Sequence, residues 1–293
     1  MTISGVPRDV DDMPPSVTVV IATYNRAGMV GTAIRSVLEQ TYADLELVVV
    51  DDCSPDNTRD VVEAVANPRV RYVRHERNSG LPAGRNTGIR AARGEFVAFL
   101  DDDDTWLPHK LERQLKAIPG FDAVLCAARV EGRKGSKIYR HDEVTPAQLR
   151  RGNRFDPSGL LVRRSLIAAL GFDESLRNGE DWDAFIRIAA EGRIAYLHEP
   201  LLVYNNGDHQ RMTNEIRFDD AALENRLRVV HKHRDFFGAY WYRYHCAYNV
   251  LFYFTSHPNL FSVLWGAGRR YGPIPVVHVA ANRALARLQS LRR

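Results

Sequence analysis

The chain has 293 residues, 45% hydrophobic and 26% charged, with a formal net charge of +4. That balance is ordinary for a globular protein with one large domain and an appendage, or two small domains. Its three scattered cysteines, Cys53, Cys126 and Cys246, exclude a disulfide framework or a cysteine zinc site and point to a reducing compartment.

Residues 1–16 are polar and acidic without an apolar core, so they read as a flexible leader and not a secretory signal. Val17–Ala22 is a short β-branched strand ending in the turn chemistry of Thr23-Tyr24-Asn25. Apolar residues at helical spacing follow from Gly28 to Gln40. Leu45–Val50 is a second strand with Asp51-Asp52 at its end, and a helix is expected from Pro55 to about Ala66. Val70–Val73 forms a third strand and Leu81–Ala92 a third helix. The strand Glu95–Leu100 runs into Asp101-Asp102-Asp103-Asp104, and Pro108 opens the next helix. Ala123–Ala127 is a fifth strand. From Arg129 to Asp156 the pattern degrades into a stretch expected to be a mobile loop. Order returns at Ser158–Val162, a helix near Arg164–Leu170, and an amphipathic helix opened by Glu180-Asp181-Trp182.

Short apolar strands alternating with helices indicate a mostly parallel α/β sheet, whose ligands bind beyond the carboxyl ends of the strands. Thr23–Asn25, Asp51-Asp52 and Asp101–Asp104 all fall at such ends. Four adjacent carboxylates disfavour one another's ionisation unless something positive neutralises them. A hard divalent cation carrying phosphate oxygens would do so; a solvated, helix-capping acidic turn is the alternative. Glu180-Asp181 likewise fits a helix N-terminus through the dipole alone.

The stretches Val17–Arg26, Leu45–Asp56, Asn78–Gly88, Glu95–Lys110 and Gly179–Phe185 together resemble the inverting family 2 glycosyltransferases, with their Rossmann-like GT-A fold. Each is weak alone; five in the family's order and spacing are specific. The resemblance implies that Thr23, Tyr24, Asn25 and Arg26 lie against the nucleotide and that Asp52 accepts a hydrogen bond from its base. It implies that Asn78, Gly80 and Arg85 approach the donor, with Arg85 supplying positive charge. Asp103 would hold Mn²⁺ or Mg²⁺, with Asp101 as a weaker ligand; Asp101 and Asp102 would face the ribose and the metal's water shell, and Asp104 would start a helix. Asp181 would be the catalytic base, and His209 would help hold the metal or diphosphate. The implied reaction moves one sugar from a nucleoside-diphosphate sugar, a UDP-sugar foremost, to a glycan or lipid-linked acceptor. A processive synthase would want a Gln-x-x-Arg-Trp element, absent from Gln210-Arg-Met-Thr213.

These readings divide the chain into a leader (1–16), a glycosyltransferase domain (17–215, with a nucleotide-sugar half 17–128 and an acceptor half 129–215) and a basic aromatic helical extension (216–293). Residues 226–293 carry eleven Lys/Arg and one acid, whereas the rest of the chain is net acidic. That asymmetry suits a cytoplasmic protein peripheral on an anionic membrane surface. A helical cap with a basic outer face is the alternative, and no nucleic-acid motif accompanies the charge. Two other function classes remain: a silent sugar-nucleotide-binding module, and a nucleotidyltransferase, which would want a glycine-rich, lysine-containing loop where this chain has Thr23-Tyr-Asn-Arg26.

Overall fold

A computed structural model describes residues 16–130, 136–137, 139–205, 220–254 and 260–290. The expected leader (but for Ser16), the boundary near residue 215, His209 and Gln210–Thr213 lie outside the described residues. In chain order the elements are β1 (Val17–Thr23), α1 (Ala27–Leu38), β2 (Leu45–Asp51), α2 (Thr58–Glu63), β3 (Val70–Arg74), α3 (Leu81–Ala91), β4 (Phe96–Phe99), β5 (Thr105–Trp106), α4 (Lys110–Ala117) and β6 (Ala123–Val130). Then come β7 (Ser136–Lys137), β8 (Glu143–Val144), α5 (Pro146–Leu149), β9 (Leu161–Arg163), α6 (Arg164–Leu170), α7 (Glu180–Glu191) and β10 (Ile194–Tyr204). The chain ends with α8 (Asp220–Lys232), α9 (Arg234–Phe254), α10 (Leu260–Tyr271) and α11 (Pro273–Ser290). Two compact units result: Met1–Thr145 with Arg154–Phe172 and Arg187–Gly207, and Pro146–Asn153 with Asp173–Ile186 and Asp208–Arg293.

The first unit is a ten-stranded sheet ordered β3-β2-β1-β4-β9-β6-β10-β5, with β7 on β6 and β8 on β10. The strands β1 to β4 run parallel, as their apolar runs demand. Alternation along β1 allots its two faces. Val17, Val19 and Ile21 join Val30, Ile34 and Val37 of α1 and Leu111 of α4 in one core. On the other face, Val20 and Ala22 meet the glycine face of α3. A Cβ on Gly88 would stand 2.2 Å from Val20 Cγ1, and one on Gly84 would stand 2.9 Å from the Ala22 Cβ. Helix and strand therefore approach as closely as they do only because both positions lack a side chain.

Several sequence expectations are corrected. The helix placed at Pro55 begins at Thr58, because Asp56 first turns the chain by accepting hydrogen bonds from Thr58 N (3.2 Å) and Thr58 Oγ1 (2.6 Å). The one placed at Pro108 begins at Lys110, since the Pro108 carbonyl is taken by Thr41 N at 2.9 Å. The strand read at Ala123–Ala127 is present as β6, and antiparallel β9 lies between it and β4, bonded to each. The Arg129–Asp156 stretch holds the end of β6, two short strands and α5 among its described residues.

In the second unit α9 packs against α8, α10 and α11, with Leu227, Val230, Phe237, Cys246, Ala247 and Val279 buried. This unit has its own core. Its segment 146–153 is tied in by Arg150 Nε donating to Phe236 O (2.7 Å) and by His245 Nε2 on Arg150 O (2.7 Å). No helix among the described residues is long and apolar enough to cross a membrane.

Candidate active site

The carboxyl ends of β1, β2 and β4 bring three clusters together, because Thr23 is in register with Asp51 and Val20 with Phe99. Leu100 N still donates to Val20 O (3.0 Å), so Asp101 is the first residue free of the ladder. Beyond it the aspartates alternate in exposure. Asp102 and Asp104 are buried, whereas Asp101 and Asp103 are partly open.

Asp102 accepts from Thr23 Oγ1 (2.7 Å) and from Arg26 Nη1 (2.9 Å). The same Arg26 nitrogen lies 2.9 Å from Asp103 Oδ2, so one guanidinium bridges two carboxylates. Burial pushes the Asp102 carboxyl up to about 7, with Asp103 and Asp101 adding to the rise and Arg26 and Thr23 opposing it. Asp104 is not a helix start. It is 1% exposed, precedes β5, and accepts from Ser158 Oγ (3.0 Å) and Asn205 N (3.2 Å). Burial raises it well above the usual carboxylate range, and Asp156, Asp101 and Asp103 raise it further. Asp156 moves the same way by burial and the charge on Asp101.

Carboxylate oxygens of Asp101, Asp104 and Asp156 lie within 4.8 Å of one another. Asp101 is also held by Arg85 Nη2 (2.8 Å), whose guanidinium is 3% exposed and lies 5.2 Å over the Phe172 ring. Arg85 is thus an internal cation, delivered to the rim by α3. Five carboxylates (101–104 and 156) face two guanidinium groups, and this excess of negative charge adds to burial, the main cause of the upward shifts of Asp102, Asp104 and Asp156. An all-oxygen, over-negative set of this kind suits a hard dication.

Asp52 occupies the neighbouring rim position, at the end of β2. It accepts from Ser79 N (2.8 Å) and Gly80 N (2.7 Å), and its Oδ1 lies 2.7 Å from His75 Nδ1. It therefore fixes the loop that opens α3, where Gly80 has φ +92°. Asp51, by contrast, is wholly internal, bonded to Ser54 N (2.7 Å), Arg74 (2.6 Å) and the Tyr72 hydroxyl. Tyr24 is 45% exposed, Asn25 N donates to Ser54 Oγ (2.9 Å), and Asn78 stands exposed between β3 and α3.

Asp181 belongs to the second unit, in the first turn of α7. Its Oδ2 accepts from Asn153 Nδ2 (2.7 Å) and its Oδ1 from Trp182 N (2.6 Å), while Trp182 Nε1 donates to Leu149 O (2.9 Å). The neighbouring Asp183 takes the structural role: fully buried, it lies 2.7 Å from both His233 Nε2 and Lys232 Nζ.

Sequence reasoning missed Asp156, Ser158, His75 and Asn153. Asp156-Pro157-Ser158 does carry a capping signal, realised as Asp156 Oδ1 accepting from Ser158 N (2.9 Å). That signal finds the turn but not its place beside Asp101.

A family model described as Glycosyl transferase family 2 matches residues 18–173. The succinoglycan biosynthesis protein ExoO of Rhizobium meliloti is 35% identical over 204 residues, which are 63% of this chain and 59% of ExoO. Among solved structures, S. aureus TarS 1-349 in complex with UDP-GlcNAc is similar over 92% of each chain, with TM-score 0.68 and 18% identity. The mannosyltransferase PcManGT of Pyrobaculum calidifontis, solved with GDP-Man and Mn²⁺, is similar over 94% of this chain and 81% of its own, with TM-score 0.61 and 24% identity. At those identities the structures speak for the fold, a GT-A-like mixed sheet flanked by helices. With the family model spanning the strands and turns that carry both arginines and all four aspartates of the run, the chain belongs to glycosyl transferase family 2.

Proposed function

We propose that the protein is an inverting glycosyltransferase moving one sugar from a nucleoside-diphosphate sugar, a UDP-sugar first among them, to an acceptor hydroxyl in polysaccharide or glycoconjugate assembly. The observation that carries this is the rim where Arg26 and Arg85 meet Asp101–Asp104. It offers guanidinium groups for diphosphate oxygens and carboxylates for a cation between them. ExoO's role in succinoglycan biosynthesis supports the polysaccharide context.

Mn²⁺ or Mg²⁺ would fit the donor set, because the five carboxylates outnumber the two guanidinium groups and Asp101 and Asp103 are the partly open members of the run. Asp103 would hold it with Asp101, whose carboxylate also lies within 4.8 Å of those of Asp104 and Asp156. A cation bound there would stabilise the negative charge that builds on the leaving diphosphate. Arg26 holds Asp103 in position, and Arg85 orients Asp101. Arg85 also brings a desolvated positive charge to the donor side, where such charge acts most strongly. Thr23, Tyr24, Asn25, Asn78 and Gly80 would shape the nucleotide's seat, with Asp52 accepting from the base while fixing the Ser79–Gly80 loop.

Asp181 would take the proton from the acceptor hydroxyl as that oxygen attacks the anomeric carbon opposite the diphosphate. Asn153 and the Trp182 amide keep its carboxylate in one orientation. General base catalysis is worth about 10²–10⁴-fold. The acceptor would be a glycan or lipid-linked glycan, and the basic stretch 226–293 would face an anionic membrane surface.

The test is a panel of nucleotide sugars with Mn²⁺, scored by released nucleoside diphosphate and product anomery. Asp181→Asn is expected to keep donor binding and lose transfer by about 100-fold or more. Near-normal turnover in that variant removes Asp181 from the base role, and failure of every donor to bind removes the transferase reading.

A further inference from the structure

The second unit contains a cavity of about 470 Å³ lined by Leu223, Glu224, Leu227 and His231 of α8, Arg234, Tyr242 and Arg243 of α9, and Arg270 and Tyr271 of α10. Leu223, Leu227 and His231 fall four residues apart, so one face of α8 forms a wall that is apolar at one end and polar at the other. Helix α9 leaves helical geometry at Gly238 (φ +66°), between Arg234 and Arg243. The break separates the two guanidinium-bearing stretches of α9 that line the same space.

Three guanidinium groups thus border one concavity against a single carboxylate, Glu224. Among the described residues none of the three is in an ion pair, although elsewhere in the chain Arg26, Arg71, Arg74 and Arg85 all are. Two are braced by aromatic rings instead: Arg234 lies 5.0 Å over the Tyr242 ring and Arg270 lies 5.5 Å over the Tyr271 ring. Stacking holds a guanidinium plane while leaving its edge N–H groups free to donate. His231 Nδ1 is engaged by the Tyr242 hydroxyl at 3.1 Å. Three guanidinium groups lining one concavity give it a positive potential that an anion would neutralise, and the fork of Arg matches phosphate oxygens.

We infer that this cavity is a second anion site, separate from the Asp101–Asp104 rim, that binds a phosphate or diphosphate group through Arg234, Arg243 and Arg270. Its volume lies within the usual range for small-molecule sites and exceeds what one phosphate fills, leaving room for the start of whatever carries it. Leu223 and Leu227 give that carrier an apolar contact. The chemistry is shared by a soluble phosphate ester and by a lipid headgroup. On the lipid side, Trp265 stands 64% exposed on α10, one turn before Arg269-Arg270.

The experiment uses the full chain without divalent cation, with two probes: inorganic pyrophosphate by calorimetry, and phosphatidylcholine vesicles with and without phosphatidic acid by co-sedimentation. Each Arg→Gln substitution should weaken binding by about tenfold, as loss of one charge-assisted hydrogen bond does. Glu224→Gln, which removes the opposing charge, should tighten it several-fold. A gain of that kind cannot come from misfolding. Pyrophosphate binding lost in R234Q/R243Q/R270Q, with no vesicle binding in any form, supports the site and assigns a soluble ligand. Loss of phosphatidic-acid-dependent sedimentation in the same variant supports it and assigns a lipid headgroup. If the wild type binds neither probe, or the triple variant and Glu224→Gln bind both as the wild type does, the inference is overturned. None of these readouts depends on sugar transfer, so the proposed activity can fail without touching this site.

Discussion

Gly88→Ala tests whether the closeness of α3 to β1 builds the donor rim. An added Cβ would meet Val20 at 2.2, 2.8 and 3.0 Å. Val20 is 1% exposed and β-branched, so it has no room and no rotamer to retreat to. Ordinary contact needs about 3.5 Å or more, so helix and strand must part by roughly 1 Å. Overpacking of this kind costs about 1–3 kcal/mol. Helix propensity acts the other way, because alanine in a helix interior is favoured over glycine by about 1 kcal/mol. The net expectation is a loss of up to roughly 2 kcal/mol, a fall in Tm of up to about 8 °C for a unit of this size. The sign decides between the two effects.

The same displacement reaches the site. Arg85 rides on α3, and its 2.8 Å bond to Asp101 would stretch towards the limit of hydrogen bonding. Donor affinity should therefore drop together with stability. Thermal unfolding and nucleotide titration on Gly88→Ala, Val20→Ala and the double variant separate the contributions. Removing both Val20 methyls relieves the closest contacts, so the double variant should be more stable than the sum of the singles by about 1 kcal/mol. A stabilised Gly88→Ala, or strict additivity in the cycle, refutes the reasoning.

Burial pushes the Lys110 ammonium down to about 8. Between that pH and its ordinary 10.5 the unfolded chain holds the extra proton, so stability rises with pH across the window and the full penalty is present below it. Denaturant unfolding across that range should show the wild type gaining up to about 3 kcal/mol relative to Lys110→Met; parallel curves would contradict it. His245, pushed down to about 4 by burial, is the acid counterpart. Its unfolded form takes up the proton as pH falls through about 6.5, so stability is lost from there towards 4, and His245→Phe should flatten that limb in the same measurement. Asp103→Asn should raise the Mn²⁺ concentration that half-saturates donor binding by at least about tenfold, whereas Asp104→Asn should leave it within about twofold. An equal effect of the two would remove the register assigned within the run, and a larger effect of Asp104→Asn would reverse it. Gly238→Ala places a Cβ at φ +66° and should cost about 1 kcal/mol by thermal unfolding.

The parallel half of the fold was legible because its strands are locally unmistakable. Val17–Thr23 and Leu45–Asp51 are buried at every residue, so they need no partner to declare themselves. The strand β9 was harder: three residues, preceded by a turn, and placed between β4 and β6 by long-range pairing that no local pattern encodes. The Asp104 helix start failed for a related reason. The same Asp-Thr-Trp-Leu-Pro string reads as a cap in isolation, but the pairing of Thr105 and Trp106 with Val203 and Leu202 makes it a strand.

The sequence by itself determined the family, the order of the β-α units, the rim on which Thr23, Asp52 and Asp101 fall, and the concentration of positive charge after Arg226. The family follows from the resemblance of five motifs taken in order, the β-α order and the rim from apolar periodicity, which acts over a few residues, and the charge from composition. Only the tertiary structure decided which aspartates are open and which are buried, because exposure depends on what the rest of the chain lays over each carboxyl group. It brought Asp156 to within 4.8 Å of Asp101 and Asp104 across more than fifty residues of chain, and set Arg85 inside rather than on the surface. It also gathered Arg234, Arg243 and Arg270 around one cavity. Charge density is a property of composition, but a site needs convergence, and convergence is supplied by packing.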